Sequence, residues 1–535
     1  MRTLLLLIIP ALFLNLTVKG QERSFEEYKR ERERKMKEYS NRQDNLRELS
    51  RQDFEQYVDK RNREYAEYVK KQWEQMKILG GFESDTEPKP VQIPEYIPGK
   101  PEPSRDEVID KLTADSPGVI QHDVQPAEPV RLKPLIPGVK RETTKVDFYG
   151  RLFHIEVDQS LKDIKASGIM ENDVARFFEK AAESEFAPTI HKLLQIIENT
   201  GQNDWGLFMI TKKLGEELSP DDQNTAKLLT WFLLLQAGYD IRVGRQNDDL
   251  VLLLPFSDII YRVSRLTIGR QNYYIFGSNS RGNFYTYQQN MKDATRVFDL
   301  NFYRSPRLAE HAQQKSLTFE FENRQVTINL EYDPKLVAMM REHPQTHMRI
   351  FFNAPASFYL SRSADNNLRP LISGLDEVTK VSFMLRLAQT AFEYESDQEQ
   401  FGSNKFMLPD EIIHYDRSDC DDRTVIFAWL TRNYTDQEVA ALMYPGHAAT
   451  AVYFPGGNPP GDQFLFEGRR FVIADPTYIN APIGKTMPQF RNVRPEMWLV
   501  DASDFDCRLF AFHSPAHYFV YSLTRFEVQP TGLLN

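Results

Sequence analysis

Residues 415–434 read YDRSDCDDRTVIFAWLTRNY, and this stretch carries the strongest fold signal in the chain. Ser418, followed three residues later by Asp421, fits a helix-capping box, and the apolar residues after it recur with helical spacing. The pattern predicts a buried helix with Cys420 in its first turn. The unpaired backbone N–H groups and the dipole at such a position favour the thiolate and can hold an oxyanion.

The segment after this helix, MYPGHAATAVYFPGGNPPGDQFLFEGRRFVIADPTY (residues 443–478), has the pattern of an antiparallel meander. The predicted strands are His447 to Phe454, Gln463 to Phe466 and Arg470 to Asp475, separated by Gly- and Pro-containing turns. His447 then opens one strand and Asp475 closes another, so we expect imidazole and carboxylate within hydrogen-bond reach. The carboxylate would orient the ring, which would serve Cys420 as base and then as acid.

Three motifs in this order resemble the transglutaminase-like superfamily of papain-type folds. They are Asp419-Cys420-Asp421-Asp422, Gly446-His447-Ala448 and Val472-Ile473-Ala474-Asp475-Pro476-Thr477. The resemblance covers about residues 376 to 500 and implies a Cys420, His447 and Asp475 catalytic triad. Many members have Gly two residues before the Cys, where this chain has Ser418. For a side-chain oxyanion donor the sequence offers only the upstream residues Tyr415, Gln400 and His414.

The first 142 residues are expected to precede the folded units. Residues 1–20 are typical of a cleavable signal peptide, because their apolar run is shorter than the roughly 20 residues of a membrane anchor. A retained anchor is the alternative. Residues 21–80 are rich in Glu, Lys, Arg and Gln and predict a charged, mostly solvated helical segment that could contact a partner helix. Residues 81–142 are rich in Pro and predict an extended linker.

The remaining chain predicts an α+β protein in three further segments. Residues 143–300 combine amphipathic helices with apolar strands, residues 301–375 favour β-hairpins, and residues 376–535 form the transglutaminase-like unit. The order of helix and strands in residues 143–300 is similar to that of the catalytic unit. We therefore hypothesise a degenerate, non-catalytic copy; the alternative is an unrelated α/β domain.

Composition narrows the class of function. A net charge of −10, a pI near 5.7 and charges of both signs interspersed along the chain argue against a nucleic-acid partner. The signal sequence predicts an exported, periplasmic or secreted protein with no membrane span after cleavage. Its two cysteines, Cys420 and Cys507, do not make a disulfide framework. No cofactor or metal is expected.

Each candidate residue also has an alternative interpretation. Cys420 could be a structural thiol or pair with Cys507, His447 could be a strand histidine, and Asp475 could be a strand-end cap. His513 and His517 are rival bases. The acidic residues around the cysteine match no calcium loop, and helix capping or salt bridges are expected of them; they are Asp416, Asp419, Asp421 and Asp422, with His414 nearby.

The expected activity is thiol-dependent acyl transfer on peptide or protein amide bonds through a thioester on Cys420. Water as acceptor gives a cysteine peptidase or amidase, which we favour, and an amine gives a transglutaminase. The alternative is a non-catalytic binding or scaffold protein that uses the same module.

Overall fold

The computed structural model describes residues 51–71, 73–82, 95–98, 141–276, 283–415, 417–466 and 468–499. The predicted signal peptide, most of the Pro-rich linker, Asp416, Cys507, His513 and His517 lie outside these residues. The chain divides into two compact units between Glu64 and Tyr65, and everything below concerns the second, apart from the start of the first helix, which precedes Tyr65.

The helices are α1 (Arg51–Val69), α2 (Gln159–Asp163), α3 (Glu171–Ala182), α4 (Ala187–Thr200), α5 (Asp204–Leu218), α6 (Gln223–Gln236), α7 (Pro334–Met340), α8 (Met348–Asn353), α9 (Phe358–Ile372), α10 (Glu377–Thr390), α11 (Asp397–Gln400), α12 (Pro409–His414) and α13 (Cys420–Tyr434). The strands are β1 (Glu74–Met76), β2 (Arg141–Phe148), β3 (Arg151–Asp158), β4 (Arg242–Gln246), β5 (Asp249–Pro255), β6 (Arg265–Ile268), β7 (Gln271–Phe276), β8 (Phe284–Thr286), β9 (Gln313–Phe321), β10 (Arg324–Tyr332), β11 (Glu393–Tyr394), β12 (Arg417–Ser418), β13 (Glu438–Tyr444), β14 (His447–Tyr453), β15 (Gln463–Phe466), β16 (Arg469–Ala474) and β17 (Glu496–Leu499). The described part of the chain is therefore α+β, as predicted.

Two antiparallel sheets organise the fold. The first has the strand order β1-β8-β4-β5-β7-β6, and the second has the order β15-β16-β14-β13-β17. A buried helix directly precedes the central strands of each sheet: α6 before the first, α13 before the second. Both helices are buried along most of their length, so each packs inside the protein rather than on its surface.

A two-stranded hairpin precedes each of these helix-and-sheet arrangements. Strands β2 and β3 meet at a turn that contains Tyr149 and Gly150, and β9 and β10 meet at Glu322 and Asn323. In each hairpin an aspartate at or just after the end of the second strand caps the next helix. Asp158 caps α2. Asp333 accepts from the N–H groups of Lys335 and Leu336 at the start of α7.

The segment 301–375 was predicted to be β-rich, and this is only partly right. The hairpin β9-β10 is present, but the chain beyond it is helical in α7, α8 and α9. Local capping explains the difference. Asp333 and Pro334 start one helix, while the hydroxyl of Ser357 accepts the N–H of Leu360 at the start of another.

The C-terminal end of the predicted solvated helix is buried. Tyr65, Val69 and Trp73 are all less than 5% exposed. The Tyr65 ring contacts Phe178 edge-on with 5.0 Å between centroids, and its hydroxyl lies 2.9 Å from the Tyr287 hydroxyl. The aromatic residues of this charged segment are therefore core residues at its end.

A short piece of the predicted linker packs beside the second sheet. The Tyr96 N–H donates to the Ile479 carbonyl at 2.9 Å, and its ring meets that of Tyr478 at 5.8 Å. Asn480 donates to Glu95 at 2.7 Å. The residues that this piece contacts, 478 to 480, follow Asp475 closely in the chain. Across the described residues, no helix combines the length and the apolar character that crossing a membrane requires.

Candidate active site

The helix that carries Cys420 begins one residue later than predicted. Asp419, not Ser418, is the N-cap: its side chain accepts the N–H of Asp421 at 3.2 Å, and Asp422 reaches back to the Asp419 N–H at 3.2 Å. Ser418 instead belongs to the short strand β12, and its hydroxyl accepts from Arg423. Cys420 is consequently the first helical residue, where backbone N–H groups have no partner within the helix.

The Cys420 thiol is almost fully buried, with 2% of the residue exposed. Burial and the neighbouring Asp419 carboxylate raise the pKa of this thiol well above its ordinary value, while the backbone N–H of Ala448 donates to the sulfur and lowers it. We expected the helix start to favour the thiolate. In the closed site desolvation outweighs that effect, so the protonated thiol is the stable form.

His447 and Asp475 are brought together as predicted. His447 Nε2 lies 3.0 Å from Asp475 Oδ2, and the two side chains are 2% and 3% exposed. Because an ionised carboxylate only accepts hydrogen bonds, the ring carries its proton on Nε2. The lone pair of neutral His447 is then on Nδ1, the nitrogen available to take a proton from a thiol.

Backbone donors and a buried amide fix the position of Asp475. Its Oδ1 accepts the N–H groups of Thr477 at 2.9 Å and Tyr478 at 3.2 Å. The Gln389 amide, on α10, donates to the carbonyls of Asp475 and Tyr478 at 3.1 and 2.8 Å. The loop after β16 is therefore held from both sides, and the carboxylate faces the imidazole without freedom to turn.

One strand of this unit was missed from the sequence. Strand β13 lies between α13 and β14, so His447 opens the second strand after the helix and not the first. The sequence of β13, EVAALMY, contains residues with high helix propensity, which hides a strand buried on both faces. Strands β13 and β14 form a tight hairpin in which Tyr444 pairs with His447.

Two aromatic rings enclose the imidazole. Phe490 stacks on His447 with 4.8 Å between ring centroids and an angle of 11°, and Tyr444 lies 6.1 Å away at 22°. These rings exclude water from the face of the imidazole and fix its plane. The imidazole, like the Cys420 thiol, is therefore closed to solvent.

Tyr394 is a site residue that the sequence did not reveal. Strand β11 pairs in parallel with β12, opposite Ser418, which brings the phenol into electrostatic interaction with Cys420 and Asp419. The pKa of Tyr394 is raised, first by burial and then by these neighbours, so the hydroxyl keeps its proton and can donate. The guanidinium of Arg423 lies 5.5 Å from the ring centroid. The sequence offers no signal for Tyr394, because its position follows from the pairing of β11 with β12, which are distant in sequence.

The upstream residues considered from sequence have other contacts. His414 Nδ1 lies 3.0 Å from the Tyr332 hydroxyl, and the Tyr415 ring contacts that of Phe401 at 5.1 Å. Gln400 ends the short helix α11, and its buried Oε1 accepts no hydrogen bond from the described residues. Tyr394, by contrast, interacts electrostatically with the Cys420 thiol.

The acidic residues around Cys420 gather with a partner from a distant part of the sequence. Asp397, Asp419 and Asp421 are each no more than 3% exposed, and each offers one oxygen within 4.8 Å of the others. Asp422, also buried, interacts electrostatically with Asp397 and Asp419. Burial and mutual repulsion raise the pKa of Asp397 to about 8, and raise those of Asp421 and Asp422 as well. Such a group of oxygens could hold a metal ion.

A cavity of about 360 Å³ lies in the first sheet unit rather than at Cys420. Its walls include Gln223 at the start of α6, Leu252 on β5 and Phe276 on β7. Charged groups, among them Lys212 and Lys227, also contribute to it. The open space and the Cys-His-Asp group therefore belong to different units of the fold.

Comparison with known proteins adds no relative to this description. A scan against protein-family models, a search of curated proteins and a search of solved structures each return no match.

Proposed function

We propose that the protein catalyses thiol-dependent acyl transfer on peptide or protein amide bonds, with water as the favoured acceptor. The observation that carries this proposal is the hydrogen bond between His447 and Asp475 next to a cysteine at a helix start. The Ala448 N–H that donates to the Cys420 sulfur directly follows His447 in the chain. An orienting carboxylate, an imidazole and a thiol in this order form the functional group of a cysteine nucleophile.

The reaction follows from the roles of these three groups. The Cys420 sulfur attacks the amide carbonyl carbon while its proton passes to His447 Nδ1, which gives a tetrahedral oxyanion. The carbon–nitrogen bond then breaks, and His447 returns the proton to the leaving amine, which leaves a thioester. Water, deprotonated by His447, attacks the thioester, and its breakdown yields the acid and regenerates the thiol.

Two kinds of donor serve the oxyanion in this proposal. The first-turn N–H groups of α13 have no partner within the helix, although that of Asp421 donates to Asp419, and the Tyr394 hydroxyl interacts with the thiol electrostatically. Donors fixed before the reaction stabilise the developing negative charge most effectively in a site that excludes water. Tyr394 is therefore the side-chain donor in this proposal.

The closed thiol sets a condition on turnover. With 2% of Cys420 exposed and its pKa raised by burial, the chemistry requires a form in which the covering side chains have moved. Movements of this kind gate many enzymes on the microsecond to millisecond timescale. Substrate binding would supply the energy for opening.

Fluorescently labelled casein and a fluorescent primary amine test the two acceptors in one experiment. Hydrolysis releases labelled peptides, while transfer to the amine labels the casein, and iodoacetamide should abolish either activity in step with alkylation of Cys420. Cys420→Ala should show neither. Complete alkylation of Cys420, mapped by mass spectrometry, with activity unchanged would contradict the proposal.

A non-catalytic binding protein is the second candidate, and the burial of the thiol favours it. In that case the His447–Asp475 pair and the stacked Phe490 stabilise the core of the second sheet, and no acyl adduct forms. Long incubation with a peptide-based acyl fluoride at physiological pH, followed by intact-mass measurement, separates the two. A stable adduct on Cys420 that is absent from Cys420→Ala excludes a purely structural cysteine.

A further inference from the structure

The buried carboxylates next to Cys420 have no hydrogen-bond donors for several of their oxygens. Both oxygens of Asp421, Oδ1 of Asp397 and Oδ1 of Asp422 have no N–H donor among the described residues, and the Asp421 side chain lies against the Asp419 carboxyl. Asp421 is 1% exposed and Asp422 is fully buried, so water does not solvate them freely. Such carboxyls must either hold a proton or bind a cation, because leaving the ionised form buried without a partner costs several kcal/mol.

Two other buried aspartates among the described residues, Asp410 and Asp333, have donors for both oxygens, which makes the group unusual. Asp410 is fully buried, and its two oxygens accept the N–H groups of Asp333 at 2.9 Å and Ser357 at 2.7 Å. Asp333 accepts four backbone N–H groups, including that of Leu308. Buried aspartates with a structural role in this fold therefore have hydrogen-bond donors, whereas Asp421 has no N–H donor among the described residues.

Nearby cations do not take the place of the missing donors. Arg423 donates to Ser418 and to the Phe392 carbonyl, and Lys405 is paired with Glu411. Among the described residues, no Lys or Arg nitrogen comes within 4.0 Å of an oxygen of Asp397, Asp419, Asp421 or Asp422. The positive charges act on these carboxylates only through longer-range electrostatics.

We propose that Asp397, Asp419 and Asp421, with Asp422 beside them, bind a calcium ion at the start of helix α13. One oxygen from each of the first three lies within 4.8 Å of the others, a separation that fits ligands about 2.4 Å from one central ion. Because neither oxygen of Asp421 has a donor, the oxygen that Asp421 contributes to this group is an unsatisfied one. This inference does not depend on the proposed acyl transfer.

The donor set selects among metals. All the available ligands are carboxylate oxygens, which suit hard cations, whereas zinc prefers nitrogen and sulfur. Calcium accepts six to eight oxygens in irregular geometry, while magnesium demands an octahedron and keeps several waters. A buried group with little access to water therefore favours calcium over magnesium.

The ion would join two segments that are distant in sequence. Asp397 begins the short helix α11, and its Oδ2 accepts the Lys405 N–H at 2.6 Å, which makes it part of the loop before α12. Asp419 and Asp421 belong to the first turn of α13. Calcium binding would fasten the loop that follows Tyr394 to the helix that carries Cys420, so the bound ion stabilises the folded state.

Calorimetric titration and thermal unfolding of the full chain, stripped with EDTA and dialysed, test this site. Added CaCl₂ should release or absorb heat with a stoichiometry near one and should raise the melting temperature by at least about 2 °C, because a ligand that binds only the folded state stabilises it. MgCl₂ at the same concentration should raise it less. An equal response to both ions would overturn the calcium assignment.

Asp397→Asn is the main variant, since it keeps the volume of the side chain and removes one ligand charge. Its melting temperature in EDTA should be no lower than that of the wild type, and calcium should no longer raise it. Asp410→Asn is the matched control: it replaces a buried but satisfied aspartate, should lower the melting temperature in EDTA, and should retain the calcium response. If Asp397→Asn responds to calcium as the wild type does, the ion binds elsewhere and the inference is wrong.

Cys420→Ala separates this inference from the proposed function. The sulfur is not among the ligands, so the variant should keep the full calcium response while losing acyl transfer. Loss of the calcium response in Cys420→Ala would mean that the site was misassigned, whatever the outcome of the activity experiments.

Discussion

The two sheets share one plan, yet only the second carries the Cys-His-Asp group. In the first, the strand order is β8-β4-β5-β7-β6 beside β1; in the second it is β17-β13-β14-β16-β15, and corresponding neighbours are antiparallel in both. A buried, Asp-capped helix precedes each: Asp222 caps α6 as Asp419 caps α13. The degenerate-copy hypothesis required the same strand order, and the observed order agrees with it.

The register of the strands makes the correspondence residue by residue. Gln246 pairs with Asp249 across the β4-β5 turn as Tyr444 pairs with His447. Leu252 pairs with Phe276 as Thr450 pairs with Ala474, the residue before Asp475. The position of Cys420 is therefore occupied by Gln223, and that of His447 by Asp249.

The two units show that the same arrangement of helix and strands can carry either a Cys-His-Asp group or a cavity. In the first unit the residue after Phe276 is Gly277 by sequence, so no member of the triad is kept. The counterparts of Cys420, Thr450 and Ala474 there are Gln223, Leu252 and Phe276, and all line the cavity. In the second unit small residues and stacked rings close the same region around the thiol.

Matched substitutions at the first helical position should give the largest difference between the units. Cys420→Ala should lower acyl transfer by at least about 10⁴-fold, because it removes the nucleophile. Gln223→Ala should leave the rate within about twofold, since that unit lacks the imidazole and carboxylate. Initial rates on labelled casein measure both. Equal losses in the two variants would mean that the activity does not reside in the second unit alone.

Asp475→Asn should have the next largest effect, on the order of 10³-fold in kcat. The amide can keep the backbone hydrogen bonds from Thr477 and Tyr478, but its NH₂ group would face His447 Nε2 and reverse the preferred tautomer. The ring proton would then sit on Nδ1, and that nitrogen could no longer take a proton from the thiol. Full kcat and KM measurements with a melting curve test this. A lower melting temperature with normal kcat would assign Asp475 a structural role only.

Tyr394→Phe should lower kcat by roughly 10²-fold and leave KM nearly unchanged, as expected when an oxyanion donor is lost. The ring and its contact with Arg423 remain, so the fold should be preserved. Tyr415→Phe is the control, because that ring packs on Phe401. If both variants retain wild-type kcat, Tyr394 is not the donor and the backbone N–H groups suffice.

The smallest effect expected is on stability, at the buried ring of His343. Its Nδ1 lies 2.9 Å from the Pro344 carbonyl, its Nε2 lies 3.2 Å from Asn203 Nδ2, and burial lowers its pKa to about 3. The unfolded chain, with a pKa near 6.5, binds the proton first, so stability falls as the pH drops from about 6.5 towards 3.

When the pH falls from 7 to 5, protonation of this histidine in the unfolded chain should lower the free energy of unfolding by about 2 kcal/mol. His343→Gln should remove that pH dependence, while the exposed His154→Gln should not. Urea unfolding at the two pH values measures the difference. An unchanged pH dependence in His343→Gln would show that His343 is not the group responsible for it.

Local patterns in the sequence specified much of this structure. The capping residues and apolar run predicted helix α13, and the hairpin pattern in residues 301–375 matches β9 and β10. These features depend on neighbours within a few residues, which is the range over which capping and side-chain periodicity act.

The sequence also misled in places where tertiary packing overrides local preference. Strand β13 was hidden by its Ala, Leu and Met content, and Tyr65 was assigned to a solvated helix although its ring is buried in the core. In both cases burial against other elements supplies free energy that local propensity does not.

The sequence by itself determined the order of the candidate residues Cys420, His447 and Asp475 and the elements that carry them. Only the tertiary structure decided that Tyr394 interacts with the thiol and that Asp397 joins the carboxylates at the start of α13, because strand pairing and loop packing connect positions far apart in the chain. It also decided that the thiol is buried and protonated, since the pKa of a group depends on its desolvation as well as on its place in a helix.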